Sequence, residues 1–320
     1  MGYGDGVTMD TRISLKKLEI LCLVVELGGI GRAADHMHVS QPVVTAHMRM
    51  LQERVGAPLL YRDGARMQLT EAGEAVYAWA TEVLSRSREL SREIEGLAGG
   101  EAGTVVVASS MSVGSYLLPW VLSEFCLRRP LASVKLQVSD AEDAQRAAES
   151  GECDFAVITS GSRVDGAVRA EHIGDHDLVL VAAPDAAVGD CVTAEELALL
   201  PFVCSPAGRP RRRLVEGALR RLGIVERSVA IELGHPEALK TATRRGLGVA
   251  MLLRASVQSE LDSGALREVK IAEGSLTVPI LLVNRAGKRF TPLQLELVDV
   301  VRDAFGDAAV DSDSATAIPA

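Results

Sequence analysis

The feature that most limits the fold is an alternation of short apolar runs with helical patterns between residues 103 and 305. The runs are rich in Val, Ile and Leu and show no polar alternation, which is typical of strands buried on both faces of a sheet. Strands joined through helices favour a parallel sheet, and the length is enough for two small α/β lobes. The expected strands are Thr104–Ser109, Val134–Val138, Phe155–Thr159, Leu178–Ala183, Phe202–Cys204, Val229–Leu233, Val249–Leu252 and Val278–Val283.

A long helix is expected immediately before this region, over residues 71–99. Thr70 is suited to cap its N terminus, and Gly99 and Gly100 are suited to end it. Apolar residues recur at alternating spacings of four and three, with one weak position at Ser87, as in a coiled-coil seam. The seam consists of Val76, Ala80, Val83, Ser87, Leu90, Ile94 and Leu97. This seam predicts a homodimer through the helix, and an amphipathic helix packed on its own domain is the alternative.

Residues 12–70 are patterned as helices followed by a short hairpin, which favours a winged helix-turn-helix. Ser40 is a candidate N-cap, and Pro42 fits the first turn of the helix that follows. The spacing of four apolar residues predicts the buried face of that helix. They are Val44, Met48, Leu51 and Val55. Residues 60–70 then predict a two-stranded wing around a glycine turn.

The opposite face of this helix exposes small, amide and cationic groups, as a recognition helix in the major groove does. Gln41 is expected to read a base, because its amide pairs bidentately with adenine. Thr45 is expected to touch a thymine methyl or a phosphate, and Ser40 and Pro42 belong to the same surface. Contacts to the DNA backbone, which set register rather than sequence, are expected from Arg32, Arg49, Arg62 and Arg66. His47 is either a packing side chain or a DNA ligand.

The charge of the chain has to be considered locally. The 34 Lys and Arg residues and 43 Asp and Glu residues leave a net charge of −9, which at first argues against a nucleic-acid partner. Residues 12–66, however, hold eight basic and five acidic residues, a local excess of +3. Aromatic residues make up only 3% of the chain, which argues against stacking on single strands. Double-stranded DNA is therefore the expected partner.

Several classes of protein are disfavoured. No run approaches the roughly 18–20 apolar residues of a membrane span, and the first ten residues lack the features of a signal peptide. A cytoplasmic, nucleoid-associated protein without a membrane partner is expected. The five cysteines form no CxxC pair and are expected to be reduced. Because no HExxH, GxSxG or P-loop motif occurs, we expect no enzyme activity, no metal and no cofactor other than a small-molecule effector.

The amino-terminal motifs occur in an order typical of one family. Arg32–Ala34 is followed by Ser40–Thr45, by Glu53–Leu59 after a leucine, by the wing residue Arg62, and by Leu69–Gly73. In this dense stretch, residues 15–73, the chain resembles LysR-type transcriptional regulators. The later signatures, Tyr116–Pro119 and Gly246–Gly248, agree with the same family.

The resemblance implies an α plus α/β protein in four segments. These are a winged helix-turn-helix over 12–70, a dimerising linker helix over 71–99, an effector domain over 103–305 and a flexible tail over 306–320. The effector domain is expected to be two-lobed, like periplasmic binding proteins. Lobe one would hold about 103–173 and 275–305, and lobe two about 174–274. The resemblance also implies a homotetramer with two compact and two extended subunits.

Two departures from the family pattern affect the expected DNA contacts. Ala46 stands where many members carry a longer polar or basic side chain, so base reading is expected to depend on Gln41, Pro42 and Thr45. Gly29–Gly31 replaces the more usual small-aromatic-threonine triplet. A threonine contact to phosphate at this point is therefore in doubt.

The effector site is expected where strands end and helices begin, because ligands of open α/β sheets bind beyond the carboxyl ends of the strands. The first such edge holds Ser109, Ser110, Met111 and Ser112, which suit an anion; a plain serine-rich turn is the alternative. The other edges hold Thr159, Ser160 and His235, and the family resemblance adds Ser205. His235 is either a ligand contact or a capping side chain.

The basic run Arg209–Arg213 is interpreted as a solvated helix start, with attraction of an anionic effector or of DNA as the alternative. Its positive charge stands at the unfavourable end of a helix. A redox role for Cys191 or Cys204 is disfavoured, since neither lies in a motif that stabilises a thiolate.

The leading hypothesis is a regulator whose lobes respond to a small, anionic co-inducer and change oligomer geometry at a promoter. The alternatives are a cytosolic two-lobed solute-binding protein or enzyme without a DNA role, and a DNA-architectural protein with a vestigial sensor.

Overall fold

The computed structural model describes residues 12–64, 66–99, 103–159 and 168–306. The chain divides between Ser91 and Arg92 into two compact units. The division therefore lies inside the long helix. None of the helices in the described ranges is long and apolar enough to cross a membrane.

The first unit contains the predicted helix-turn-helix and wing. Its elements are α1 Leu15–Glu26, α2 Ile30–His36, α3 Gln41–Val55, β1 Leu60–Asp63, β2 Arg66–Leu69 and the start of α4 Glu71–Gly99. The predicted apolar face of α3 is buried, since Val44 and Leu51 are fully enclosed and Met48 and Val55 nearly so. Ala33 of α2 packs into the same core. The two wing strands pair antiparallel, Leu60 opposite Leu69.

Helix α4 begins where the sequence predicts. The Thr70 hydroxyl accepts a hydrogen bond from the Gly73 amide at 2.9 Å and donates one to the Pro58 carbonyl at 2.7 Å. This cap also fixes the helix against the wing. Glycine is required at position 73 because a Cβ there would overlap the carbonyl oxygen of Leu59.

The predicted seam of α4 divides into two parts. Val76 and Ala80 pack on the core of the first unit, together with Leu84, which the seam did not include. Leu90 and Ile94 instead have exposed fractions of 55% and 56%. The packed-helix alternative thus describes the first half of α4. In the second half, Leu90 and Ile94 form an exposed apolar edge.

The second unit begins with an α/β segment. Its elements are β3 Gly103–Ser110, α5 Met111–Tyr116, α6 Leu118–Arg128, β4 Ala132–Ser139, α7 Ala141–Glu149 and β5 Phe155–Thr159. Strand β3 pairs parallel with both β4 and β5.

The second unit continues through longer strands. Its remaining elements are β6 Val168–Ala182, β7 Cys191–Val192, α8 Ala194–Leu199, β8 Phe202–Cys204, α9 Pro210–Arg221, β9 Val229–Glu232, α10 Pro236–Arg244, β10 Ala250–Leu253, α11 Arg254–Asp262, β11 Arg267–Ile271, β12 Leu276–Arg285 and α12 Pro292–Gly306.

The expectation of a parallel sheet is wrong for the large sheet of the second unit. In the described ranges the large sheet runs β4-β3-β5-β12-β6-β11-β7, with β10 also paired to β6. Strand β12 is antiparallel to β5 and β6, and β10 and β11 are antiparallel to β6. The sheet is therefore mixed.

Two lobes form because β6 and β12 run through both. Near the start of β6, Ile173 packs in a core with Phe125, Phe155 and Phe305. Near its end, Leu180 packs in a separate core. That second core holds Leu178, Phe202, Leu219, Met251 and Val278 among others. Both strands therefore connect the lobes side by side.

Candidate functional site

The exposed face of α3 carries the predicted base-reading residues. Gln41, Pro42, Thr45, Ala46 and Arg49 line one open surface. The Thr45 hydroxyl donates to the Gln41 carbonyl at 3.0 Å, and Gln41 itself is exposed. Arg49 Nε lies 3.5 Å from Glu53 of the same helix, and both side chains are exposed.

The turn before α3 fixes how this face is presented. His38 has a positive φ of 53°, and the Val39 amide donates to the Ala34 carbonyl at 3.0 Å, which closes the turn. Ser40 occupies the predicted N-cap position, but its exposed hydroxyl makes no capping hydrogen bond. Arg32 donates to the Gly28 carbonyl at 2.6 Å and stays at the surface. Arg32 is thus exposed in the first turn of α2, and Ser40 is exposed at the start of α3.

The wing arginines lie on different strands. Arg62 is exposed on β1, and its Nε donates to the Gly64 carbonyl at 3.1 Å. Arg66 lies opposite Asp63 in the β1–β2 register. His47 projects toward the core side of α3, where its Nδ1 is buried without a hydrogen-bond partner in the described ranges. This favours the packing interpretation of His47.

A small cavity lies between the two lobes of the second unit. It encloses about 50 Å³, room for a few water molecules. The first lobe contributes Ser110, Met111, Ser112, Asp140, Ala141 and Thr159, and the second contributes Ser205, Arg209, Arg211, Leu214, Val215 and Gly234 among others. Hydroxyl groups and arginines therefore provide most of the polar groups around it.

Arg211 is the principal charge of the cavity. It lies in the first turn of α9, and its Nη1 donates to the Ser112 hydroxyl at 2.7 Å across the cleft. No carboxylate in the described ranges forms an ion pair with it. Burial lowers the pKa of Arg211 to about 10, because its guanidinium is removed from water without a compensating anion.

Two further hydroxyls, those of Ser110 and Ser205, lie in the cavity wall with this arginine. Ser110 Oγ accepts from the Thr159 amide at 3.1 Å, which holds the ends of β3 and β5 together. Ser205 is only 6% exposed, and its hydroxyl has no hydrogen-bond partner in the described ranges. A buried hydroxyl without a partner is costly, and a ligand atom that accepted its proton would remove that cost.

Two predicted effector contacts have other roles in the structure. Ser109 is fully buried, and its hydroxyl donates to the Val157 carbonyl at 2.7 Å, so it ties β3 to β5 and does not line the cavity. His235 is the N-cap of α10, and its Nδ1 accepts from the Glu237 amide at 3.2 Å. The capping alternative for His235 thus describes its position. Ser160 lies outside the described residues.

The interpretation of Arg209–Arg213 as a solvated helix start is correct only in part. The run begins α9, and Arg209 and Arg213 are exposed, but Arg212 is buried and Arg211 lies in the cavity wall. Arg209 Nη2 lies 2.5 Å from Asp140 Oδ2 of the first lobe, and Arg213 pairs with Glu142, also of the first lobe. Arg212 is 8% exposed and contacts Glu216, Glu232 and the Ser205 carbonyl. The signal that pointed here is the run's place at the helix N terminus, where cations are unfavourable unless something else holds them.

The cysteines and potential metal ligands give no second site in the described ranges. Burial raises the pKa of the Cys204 thiol, although Arg212 and Arg227 act against this. Cys191 is exposed at the edge strand β7. No group of three or more His, Cys, Asp or Glu side chains within the described ranges is arranged to hold a metal ion.

Two family profiles match nearly the whole described chain. The bacterial regulatory helix-turn-helix protein, lysR family, matches residues 15–74, and the LysR substrate binding domain matches residues 98–306. The chain belongs to the LysR family. It is a DNA-binding transcriptional regulator with an effector-binding domain, and α3 and the inter-lobe cavity lie within the two matched regions.

Several relatives of this LysR-type regulator carry names that describe them as transcriptional regulators. A probable RuBisCO transcriptional regulator of Nostoc sp. is 30% identical over 80% of this chain and 78% of its own length. The HTH-type transcriptional regulator CbbR of Xanthobacter flavus is 29% identical over 89% of this chain and 86% of its own. Both relatives are named as transcriptional regulators.

Solved structures agree in fold. The LysR family regulator CbnR aligns with a TM-score of 0.62 at 24% identity, covering 92% of this chain and 99% of CbnR. The regulatory domain of CcmR from Synechocystis PCC6803, in complex with 2-PG, aligns with a TM-score of 0.57 at 22% identity. That alignment covers 63% of this chain and 97% of the CcmR domain.

Proposed function

We propose that the inter-lobe cavity binds a small anionic metabolite and that Arg211 is its main charge partner. The observation that carries this is a half-buried arginine in the cavity wall that pairs with Ser112 and with no carboxylate in the described ranges. A carboxylate or phosphate on Arg211 would form a charge-assisted hydrogen bond and offset the desolvation of the guanidinium.

The surroundings of Arg211 support the same ligand class. The Ser205 hydroxyl has a proton to donate and no acceptor among the described residues. Helix α9 begins in the cavity wall, where the positive end of its dipole favours negative charge. The CcmR regulatory domain, of similar fold, was solved with 2-PG, and the named relatives of this chain include RuBisCO regulators. Phosphorylated acids are therefore the first ligands to test, and we infer that the cavity binds its ligand without converting it.

We also propose that the exposed face of α3 contacts DNA. Gln41 reads a base, and Pro42 and Thr45 contact the groove wall. The arginines contact the DNA phosphate backbone and set the register of the protein on the DNA. The backbone contacts are Arg32, Arg49, Arg62 and Arg66, with Ser40 at the start of α3. This arrangement is supported by the exposure of Gln41 and Thr45 on a helix whose other face is buried.

The proposed assembly is a homodimer through α4, with a homotetramer as the complete regulator, acting in the cytoplasm. Leu90 and Ile94 support the dimer, since they continue the heptad spacing of α4 and remain exposed in a single chain. Burying both side chains in a second copy would remove an apolar edge from water. Effector binding between the lobes then alters the geometry of the assembly at the promoter.

Isothermal titration calorimetry of the full-length protein tests the effector proposal. The probes are 2-phosphoglycolate, glycolate, succinate and inorganic phosphate, with wild type, Arg211→Gln and the control Arg220→Gln. Arg220 lies on the same helix, is exposed and pairs with Glu216 outside the cavity. We expect Arg211→Gln to weaken binding of any anion that binds by about tenfold or more, since charged hydrogen bonds contribute strongly. Equal affinity in all three proteins, or no binding of any anion, would contradict the proposal.

A further inference from the structure

Asp140 forms an ion pair with the opposite lobe instead of capping its own helix. It is the N-cap residue of α7, a position where an aspartate ordinarily accepts a hydrogen bond from the first-turn amides. Its side chain makes no such bond and reaches across the cleft to Arg209, with Oδ2 2.5 Å from the guanidinium. The carboxylate thus leaves its own helix end without a side-chain cap to contact the opposite lobe.

The cavity around this ion pair is positive. Helices α7 and α9 begin on opposite walls, so the positive ends of two dipoles face the same space. Arg209 and Arg211 both line the cavity, and Asp140 is the one carboxylate among the described residues of its lining. Arg211 has only Ser112 as a partner in the described ranges. Asp140 therefore neutralises one half of a two-arginine site and leaves the other half open.

The space available supports a ligand that replaces Asp140. About 50 Å³ admits a few water molecules, so a larger ligand enters only when a group that closes the cavity moves. The Asp140–Arg209 pair forms part of the cavity wall and connects the two lobes there. The Arg209 side chain is 59% exposed and that of Asp140 is 20% exposed, so solvent screens the pair and it holds the lobes weakly. Ser205, nine-tenths buried with its hydroxyl unpartnered, lines the same cavity.

We propose that Asp140 is an intramolecular competitor for the effector, and that the effector carries two anionic groups, one for Arg211 and one that displaces Asp140 from Arg209. This inference rests on the proposed function and specifies its ligand as a dicarboxylate or a phosphorylated acid. A ligand with a single anionic group binds Arg211 alone and is still repelled by the carboxylate of Asp140. A ligand with two groups exchanges the internal carboxylate for its own.

The test is calorimetry on full-length wild type, Asp140→Asn, Asp140→Ser and Asp143→Asn with three probes. These are 2-phosphoglycolate, which has two anionic groups, and glycolate and inorganic phosphate, which each have one. Asp140→Ser keeps a side chain that caps helices well and serves as a second variant if the first folds poorly. Asp143→Asn is the matched control, since Asp143 lies in the first turn of the same helix and pairs with Arg146 outside the cavity.

In wild type we expect 2-phosphoglycolate to bind about tenfold or more tightly than either single-group probe. Both Asp140 variants should bind all three probes about three- to fivefold more tightly, the range expected for losing a partly exposed pair. Asp143→Asn should match wild type. In an Arg209→Gln background, 2-phosphoglycolate should lose its advantage over the single-group probes, because its second anionic group then has no arginine to bind.

Two results would overturn the competitor role. Equal gains in Asp140→Asn and Asp143→Asn would mean that only net charge changed, and no gain in either Asp140 variant would mean that Asp140 does not compete. If Arg211→Gln abolishes binding while the Asp140 variants match wild type, the proposed anion site stands and this inference fails. If the wild-type protein binds none of the three probes, both the proposed anion site and the competitor role of Asp140 are wrong.

Discussion

Arg211 and Ser112 join the two lobes of the effector domain through one hydrogen bond of 2.7 Å, from Nη1 to the serine hydroxyl. The donor lies in the first turn of α9 and the acceptor in α5, so the bond spans the cavity that separates them. It fixes where the guanidinium points before any ligand arrives. A charge held in place in this way favours binding, because less side-chain freedom is lost.

Replacing Ser112 with alanine should therefore weaken effector binding without removing the charge. We expect affinity for an anion that binds the wild type to fall about threefold to tenfold, the contribution of one hydrogen bond. Calorimetry measures the change, and Ser133→Ala on the exposed side of β4 is the control. An affinity equal to that of the wild type would show that Ser112 does not position Arg211.

Gln41 and Arg62 should affect DNA binding in different ways. Gln41→Ala should reduce discrimination at one base pair, because a bidentate contact contributes about 1–3 kcal/mol. Arg62→Ala should weaken binding to all sequences alike and reduce the slope of log affinity against log salt by about 1. Fluorescence anisotropy with a panel of single-base operator variants measures both. Matching profiles for the two variants would contradict the division between base reading and backbone contact.

The exposed edge of α4 should control dimer formation. The double variant Leu90→Ser and Ile94→Ser should raise the dimer dissociation constant about tenfold or more, because two exposed apolar side chains lose their burial in the partner. Analytical ultracentrifugation measures this constant. The control Leu199→Ser changes a more exposed leucine on α8. A dimer as tight as that of the wild type would place the interface elsewhere.

The stability of the effector domain should fall as the pH is lowered, with His176 as one cause. His176 packs edge-on against Phe305 with ring centres 5.4 Å apart, and its Nε2 is buried without a partner in the described ranges. Burial lowers its pKa from 6.5, against the opposing effect of Asp177 and Asp175. The unfolded chain therefore binds a proton that the folded one resists, so stability declines as the pH falls below about 6.5.

His176→Gln should make the free energy of unfolding less dependent on pH between 7.5 and 5.5. Urea unfolding at these two pH values measures the difference. His172→Gln, an exposed histidine of the same strand β6, is the control. If both variants keep the pH dependence of the wild type, another group causes it.

Local patterns predicted the DNA-binding unit well. The spacing of Val44, Met48, Leu51 and Val55 fixed the buried face of α3, and the cap at Thr70 marked the start of α4. These features depend on contacts near in sequence, which periodicity and capping chemistry describe directly. The two lobes were also predicted, because their strands stand out as apolar runs.

The sheet directions were not predictable in the same way. Strand β6 extends back to Val168, but the segment with Glu171, His172 and Asp175 carries charges that conceal its first half. Strand β11 alternates charged and apolar residues and was missed for the same reason. Which strands pair, and in which direction, depends on contacts distant in sequence that no local pattern reports.

The cavity was found in part. Ser110, Ser112, Thr159 and Ser205 line it as expected, whereas Ser109 points into the sheet. Asp140 was missed, and the arginines were named only in the alternative interpretation of Arg209–Arg213, because their partners lie about 70 residues or more away in the chain. A cation at a helix N terminus was the available signal, and its partner became visible only in three dimensions.

The most direct test of the central claim measures DNA affinity with and without an anion that binds the cavity. The DNA is the region upstream of the protein's own gene, the proteins are wild type and Arg211→Gln, and the readout is fluorescence anisotropy with a footprint of the protected bases. We predict equal DNA affinity for the two proteins without anion, and a change on adding the anion that occurs in wild type and is absent in Arg211→Gln. An identical response in both proteins would contradict the assignment of the inter-lobe cavity as the effector site.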